Sequence, residues 1–451
     1  MSTTSKDIVM NSFDDSEMES ESLDNEMKGR FLIQDVPSED DSSLDERPGG
    51  ITNSYYIDAL PDQAFHTVTD ANDSTCCIAF YTYNETNSSR CVNSTISLIA
   101  IGSVDETLRF YSVNDLCKVS HVYQSTDFSD SVVSVQFSFD GKYVAAGSYD
   151  TTVKIFQVHF QDSAIEIHYL HQLYGPTSDV EWITWHPRGY ALLAGSNDAT
   201  LWMWLANTST VMQVFSGHVG AVLCGAFANQ GRLVVSGDAE GSLMIWDPKT
   251  GKRLTQFTQT KQQDQRCHMT TLAIHDTLPL ICTGCENNII QLINTQTLKV
   301  LKTFQVHSDT VEALSFLPLS LNKENHDTPT LLASGGLDGV CHIWDCSQLK
   351  TRMTFKHTDL VESTDTNEPE RIVGGITCLL WIFDKASNCF LLVTAGTDCT
   401  LRLWEMRSQK NLRVFSGHSK PILNMIYIET CQCLVSCSDD TTVKFWKVFE
   451  T

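Results

Sequence analysis

Residues Gly147 to Phe156 read GSYDTTVKIF: a Gly-Ser turn, an aspartate, a threonine, then hydrophobic, polar, hydrophobic and aromatic residues in succession. Small and Asx-type residues favour a tight turn, and the alternation that follows puts Val153 and Ile155 on one face of a strand with Lys154 on the other. The pattern returns on both sides. GSVDETLRFY (102–111) precedes it; GSNDATLWMW (195–204), GDAEGSLMIW (237–246), GCENNIIQLI (284–293), GGLDGVCHIW (335–344), AGTDCTLRLW (395–404) and CSDDTTVKFW (437–446) follow. Eight units, their last positions 42 to 60 residues apart, define a repeat architecture.

Ahead of each turn lies a second apolar run, as in YVAAGS at 143–148, so every unit contains strand, turn and strand. Gly217-His218 and Gly417-His418 precede two units, with His307 and His66 as degraded versions. These features resemble the WD40 repeat, one four-stranded blade of a β-propeller. The resemblance implies an all-β, eight-bladed WD40 propeller over residues 51–451, preceded by a disordered acidic tail at 1–50. The sequence stops five residues after Trp446, past the third strand of the last unit, so residues 51–66, in particular Tyr55 to His66, are expected to supply the closing outer strand. Residues 82–96, 318–329 and 358–373 are polar insertions expected to form surface loops.

Composition bounds the function. The 451 residues are 42% hydrophobic, enough for a sizeable core, and carry 31 Lys and Arg against 55 Asp and Glu, a net charge of −24. That balance opposes direct nucleic-acid binding and favours basic partners. Fourteen of the carboxylates fall in residues 1–46. With no signal-peptide layout and no apolar run of ~18 residues, neither secretion nor membrane insertion is expected. The chain should be a monomer in the cytosol or nucleus, its 16 cysteines reduced.

Candidate chemistry is sparse. His418, Ser436, Asp440 and Trp446, and again His307, Ser334, Asp338 and Trp344, occupy positions of a hydrogen-bond tetrad in the WD40 family. A Ser-His-Asp hydrolase is the alternative, but a nucleophile's constellation should occur once, beside an oxyanion site. Cys282 and Cys285 form a lone C-x-x-C without a second ligand pair, and Cys431, Cys433 and Cys437 alternate along one expected strand. No enzyme, metal or cofactor is expected.

Residues 179–204, DVEWITWHPRGYALLAGSNDATLWMW, concentrate four of the nine tryptophans. Trp204 and Trp185 fit core positions; Trp182 and Trp202 are candidates for partner recognition or for packing beneath a neighbouring blade. The run Val180-Glu181-Trp182, Trp185-His186-Pro187-Arg188 and Trp202-Met203-Trp204 resembles the WD40 family that comprises the angio-associated migratory cell protein of animals and its fungal ribosome-assembly counterpart. That resemblance implies a dedicated chaperone. Its client would be a large-subunit ribosomal protein, protein ten in eukaryotic counting, whose basic N-terminus is captured on the acidic face of the ring. The animal proteins are also linked to cell migration, so a general signalling or cytoskeletal scaffold is the rival reading. Propeller geometry places Asp127, Asp130, Asp179, Glu181, Glu240, Glu286, Asp309, Glu312 and Asp439 on one rim, where Lys420 and Arg266 are the main basic exceptions, so one-signed charge there would steer a basic peptide.

Overall fold

In a computed structural model, residues 61–85, 94–161, 164–258, 267–318, 330–360 and 371–449 are described. The expected tail at 1–50 and the first part of the closing segment, 51–60, lie outside them.

The described chain is a β-propeller of eight four-stranded antiparallel sheets. Seven blades are consecutive in sequence, from inner to outer strand, as in blade 3 with Val180–Trp185, Ala191–Ser196, Thr200–Leu205 and Thr210–Ser216. The eighth is made from both ends of the chain: Ile422–Ile428, Cys433–Ser438 and Val443–Lys447 are completed by His66–Val68. The register pairs His66 with Phe445, Thr67 with Lys444 and Val68 with Val443. The closing strand is N-terminal and begins at His66, the last residue of the expected 51–66 segment. Before it, Gln63 N–H donates to Ser416 O and Phe65 N–H to Phe445 O, both at 3.0 Å.

The turn signature sets the blade geometry. In every blade the residue after the turn Asp, or its equivalent, has positive φ: Glu106, Thr151, Ala199, Gly241, Asn288, Gly339, Cys399 and Thr441, all between 60° and 75°. Each inner strand also bulges at its second residue, where two residues oppose one on the next strand, as between Val180 and Trp182 or between Val311 and Ala313. The alternating apolar residues of each sheet fill the gap to its neighbour, and Trp204, Trp246, Trp344 and Trp446 are fully buried there.

Two expected loops are partly strand. Thr82–Glu85 and Ser94–Ile96 continue the first hairpin of blade 1, and Thr358–Leu360 pairs with Arg371–Val373 as a two-stranded ribbon. The first insertion prolongs a blade hairpin, whereas the second is a separate ribbon in the connection between blades 6 and 7. Residues 319–329 of the third insertion lie outside the described residues. Among the described residues, no helix is long and apolar enough to cross a membrane.

Candidate peptide-binding rim and the comparisons with known proteins

The tetrads come first, because they decide whether the Ser-His-Asp sets are chemistry or scaffolding. In blade 8 His418 Nδ1 lies 2.9 Å from Asp440, its Nε2 is 2.8 Å from Ser436 Oγ, and the Trp446 indole N–H donates to the same Oγ at 2.9 Å. Blade 6 repeats this with His307, Asp338, Ser334 and Trp344 at 3.1, 2.9 and 2.9 Å. Blade 4 holds a third set that the sequence reading missed: His218 is 2.8 Å from Asp238 and 2.6 Å from Ser236, which accepts from Trp246 at 2.8 Å. Asp238 is two residues after its serine, whereas Asp338 and Asp440 are four after theirs, so the turn motif hides it. All three histidine side chains are 0% exposed. A substrate cannot reach these serines; the tetrads tie strands together within a blade.

In blades 1, 2 and 7 the turn aspartate pairs with a cation four residues further on, and in blade 7 the buried His357 also approaches it, 3.3 Å from Asp398. Arg109 pairs with Asp105 at 2.6 Å, Lys154 with Asp150 at 2.8 Å and Arg402 with Asp398 at 3.0 Å, all almost fully buried. Burial pushes the Asp105 carboxyl up, but hydrogen bonds from Arg109 and Thr107 outweigh it and bring it down to about 2.

The cysteine motifs are core. Cys282 and Cys285 are fully buried in two different interblade clusters. Cys433 and Cys437 share the second strand of blade 8, while Cys431 lies in the turn before it, not on the strand as expected.

The rim is what remains. The connections from outer to next inner strand and from second to third strand all open on one face. They carry Asp127, Asp130, Glu286 and Asp309, which are exposed, and Asp179, Glu240 and Asp439, which are half-buried; Glu181 and Glu312 stand just inside as the bulge residues of blades 3 and 6. The nine expected carboxylates therefore do share one rim. Among the described residues of these connections Lys420 and Arg371 are the Lys and Arg, and Lys420 lies 3.7 Å from Asp439; Arg266 is outside the described residues. Glu106, exposed in the blade 1 turn, lies on the same face and was missed because it stands one position past the turn Asp, where the other blades carry no carboxylate. Positive charge is displaced to the circumference: the outer strands of blades 4 to 7 carry eight Lys or Arg and no Asp or Glu.

Six segments, 117–157, 168–204, 209–247, 298–345, 372–405 and 409–447, match the family described as "WD domain, G-beta repeat" and together span more than half of the chain. The chain belongs to the WD40 family. Within it, the chain is 27% identical to the angio-associated migratory cell protein of Canis lupus familiaris over 342 residues, covering 72% of this chain and 70% of that one. The Homo sapiens protein of the same name is 26% identical over 335 residues with the same coverage. Similar solved structures are Sqt1 of Saccharomyces cerevisiae (TM-score 0.69, 15% identity, 87% of this chain and 100% of that one) and Chaetomium thermophilum Sqt1 bound to the N-terminus of the ribosomal protein L10 (TM-score 0.69, 18% identity, 86% and 100%).

In this WD40 propeller the two candidate tryptophans are not rim anchors. Trp182 is 9% exposed, and its indole N–H donates to Val222 O of blade 4 at 2.9 Å. Glycines flank the ring: a Cβ on Gly195 or Gly225 would come within 2.4 or 2.3 Å of it. Blades 5 and 7 make the equivalent interblade bond from the bulge residue itself, Thr270 to Val311 O and Thr377 to Ile422 O. In blade 3 the bulge residue is Glu181, and the tie passes to Trp182. Trp202 is half-buried, stacked on Trp204 at 6.0 Å, bonded through its N–H to Thr200 Oγ1 and laid over Gly175. The exposed apolar groups of this sector are instead Tyr174, 69% exposed, and Val219, 79% exposed, beside Gly220 and Glu240. A signal was present, since Tyr174-Gly175 fills the slot that Ser216-Gly217 and Ser416-Gly417 fill in other blades.

Proposed function

We propose that the acidic rim captures the basic N-terminal segment of a large-subunit ribosomal protein, that of L10, and that the chain acts as its chaperone during ribosome assembly. The observation that carries the reading is the segregation of charge. One face gathers carboxylates around the channel with only Lys420 and Arg371 as basic residues among its described connections, while Lys and Arg crowd the outer strands of blades 4 to 7. Such a face attracts a cationic chain and orients it, and the fixed charge raises the capture rate. Tyr174 and Val219 supply apolar contact beside Asp179 and Glu240, the combination of anchor and polar surround that slows dissociation. The similarity to Sqt1, solved with the N-terminus of L10, supports the choice of client. The chain has no part as an enzyme in this reading, since the buried tetrads are scaffolding.

Affinity capture from a cell extract followed by mass spectrometry tests it. A single stoichiometric basic ribosomal protein is expected. A mixed set of signalling or cytoskeletal proteins that excludes it would favour the general scaffold.

A further inference from the structure

On the face opposite the acidic rim, two turns from opposite ends of the chain meet. Cys117 lies in the turn between the third and outer strands of blade 1, and Cys431 in the turn between the inner and second strands of blade 8. Their positions differ by 314, yet the Cys117 thiol donates to the Cys431 carbonyl at 3.5 Å. The side chains of Cys117 and Cys433 both lie close enough to that of Cys431 to interact with it. Cys117 and Cys431 are half-buried whereas Cys433 is buried. The trio straddles the seam where blade 1 meets the blade built from both chain ends.

We propose that Cys117 and Cys431 are a reversible oxidation site, whose disulfide fastens blade 1 to blade 8 across the closure seam. Among the other described thiols, burial pushes Cys76 and Cys346 up to about 12, the half-buried Cys399 up to about 11, and Cys77, Cys282 and Cys437 well above the usual range. Cys431 moves the other way. The neighbouring Cys433 and Cys117 thiols outweigh its burial and hold it below the usual thiol range. A partly exposed thiolate beside a second accessible thiol is the arrangement that reacts with peroxide.

The chemistry balances with hydrogen peroxide as oxidant. The Cys431 thiolate attacks one peroxide oxygen, the O–O bond breaks, and the departing hydroxide takes a proton to leave as water, giving a sulfenic acid. The Cys117 sulfur then attacks the sulfenic sulfur, the S–O bond breaks, and the hydroxide released combines with the Cys117 thiol proton as a second water. Two thiols lose two electrons, and peroxide is reduced to two waters. A dithiol reductant reverses the change. Cys433 stays reduced as a positioning residue, buried among Val435, Cys437 and Phe445 with its thiol donating to the Leu434 carbonyl. The cross-link closes a long loop of chain, which restricts the unfolded state.

The test exposes the purified full chain to hydrogen peroxide, alkylates the remaining thiols and maps linked peptides by mass spectrometry. A Cys117–Cys431 link that dithiothreitol removes is expected, with the melting temperature of the oxidised protein raised by ~2 °C or more. Cys117→Ser should abolish both and leave a Cys431 sulfenic acid that dimedone traps. Cys433→Ala should move the pH midpoint of Cys431 alkylation upward. Oxidation of Cys431 no faster than of the buried thiols, or a disulfide elsewhere, would overturn the proposal, and the wild-type measurement decides it even if a variant fails to fold.

Discussion

The indole N–H of Trp182 and the carbonyl of Val222, 2.9 Å apart, join blade 3 to blade 4 at the inner end of the propeller. Blades 5 and 7 make this tie with a bulge threonine, and transferring it to Trp182 puts an acidic side chain, Glu181, at the bulge. Trp182→Ala therefore removes both a buried ring and an interblade bond. Destabilisation of about 3–5 kcal/mol is expected by chemical denaturation, with peptide affinity of the folded fraction nearly unchanged. A large loss of affinity at unchanged stability would restore Trp182 as an anchor.

Closure offers a second check. Removing residues 1–50 should leave thermal unfolding as it is. Removing residues 1–70 deletes His66–Val68 together with Asp62, the partner of Lys444, whose side chain is 6% exposed. An open ladder edge and a stranded ammonium should cause aggregation or loss of cooperative unfolding. Equal melting of the two truncations would contradict the pairing.

The blade 8 tetrad predicts a pH dependence with a definite sign. Burial pushes the Asp440 carboxyl up, but hydrogen bonds from His418, Thr442 and the Ser419 backbone outweigh it and hold it well below its ordinary value of 3.8. A depressed carboxylate contributes stability that is complete above the unfolded value and is lost as pH falls through the folded one. Urea midpoints should be level from pH 7 to about 5 and fall steeply below about 4. Asp440→Asn should lower the midpoint at pH 7 and flatten that acid limb. Asp398 is raised by burial, despite Arg402, so its protonation favours the fold and Asp398→Asn should not flatten the limb.

Tyr174 and Val219 are the rim's apolar contacts. Replacing both with serine should cost about 2 kcal/mol of binding through faster dissociation, read by stopped-flow displacement, while leaving the melting temperature within about 1 °C because both side chains are largely exposed.

Much of this was legible in the sequence because a local rule writes it. The turn Asp and the left-handed residue after it recur in short range, so blade count, the tetrads of blades 6 and 8 and the acidic rim followed from spacing. What escaped depends on contacts between distant segments. The side-chain direction of Trp182 is set by a bulge and by Gly225 of the next blade, neither of which period-two alternation reveals. Asp238 reaches His218 from an unusual register, so the tetrad of blade 4 stayed hidden. The closing strand began at His66 because its register follows Phe445, 379 positions away, rather than any local signal.

The central claim is that the rim's charge captures a basic peptide, and the salt dependence of affinity tests it most directly. A fluorescent N-terminal L10 peptide should bind more weakly at each step from 50 to 300 mM salt, about as expected when the screening length shortens toward and below ~8 Å. Glu286→Lys with Asp309→Lys, both exposed, should lower affinity through the association rate and shallow that slope at an unchanged melting temperature. An affinity that stays constant across the salt range, or is untouched by the double reversal, would contradict the account.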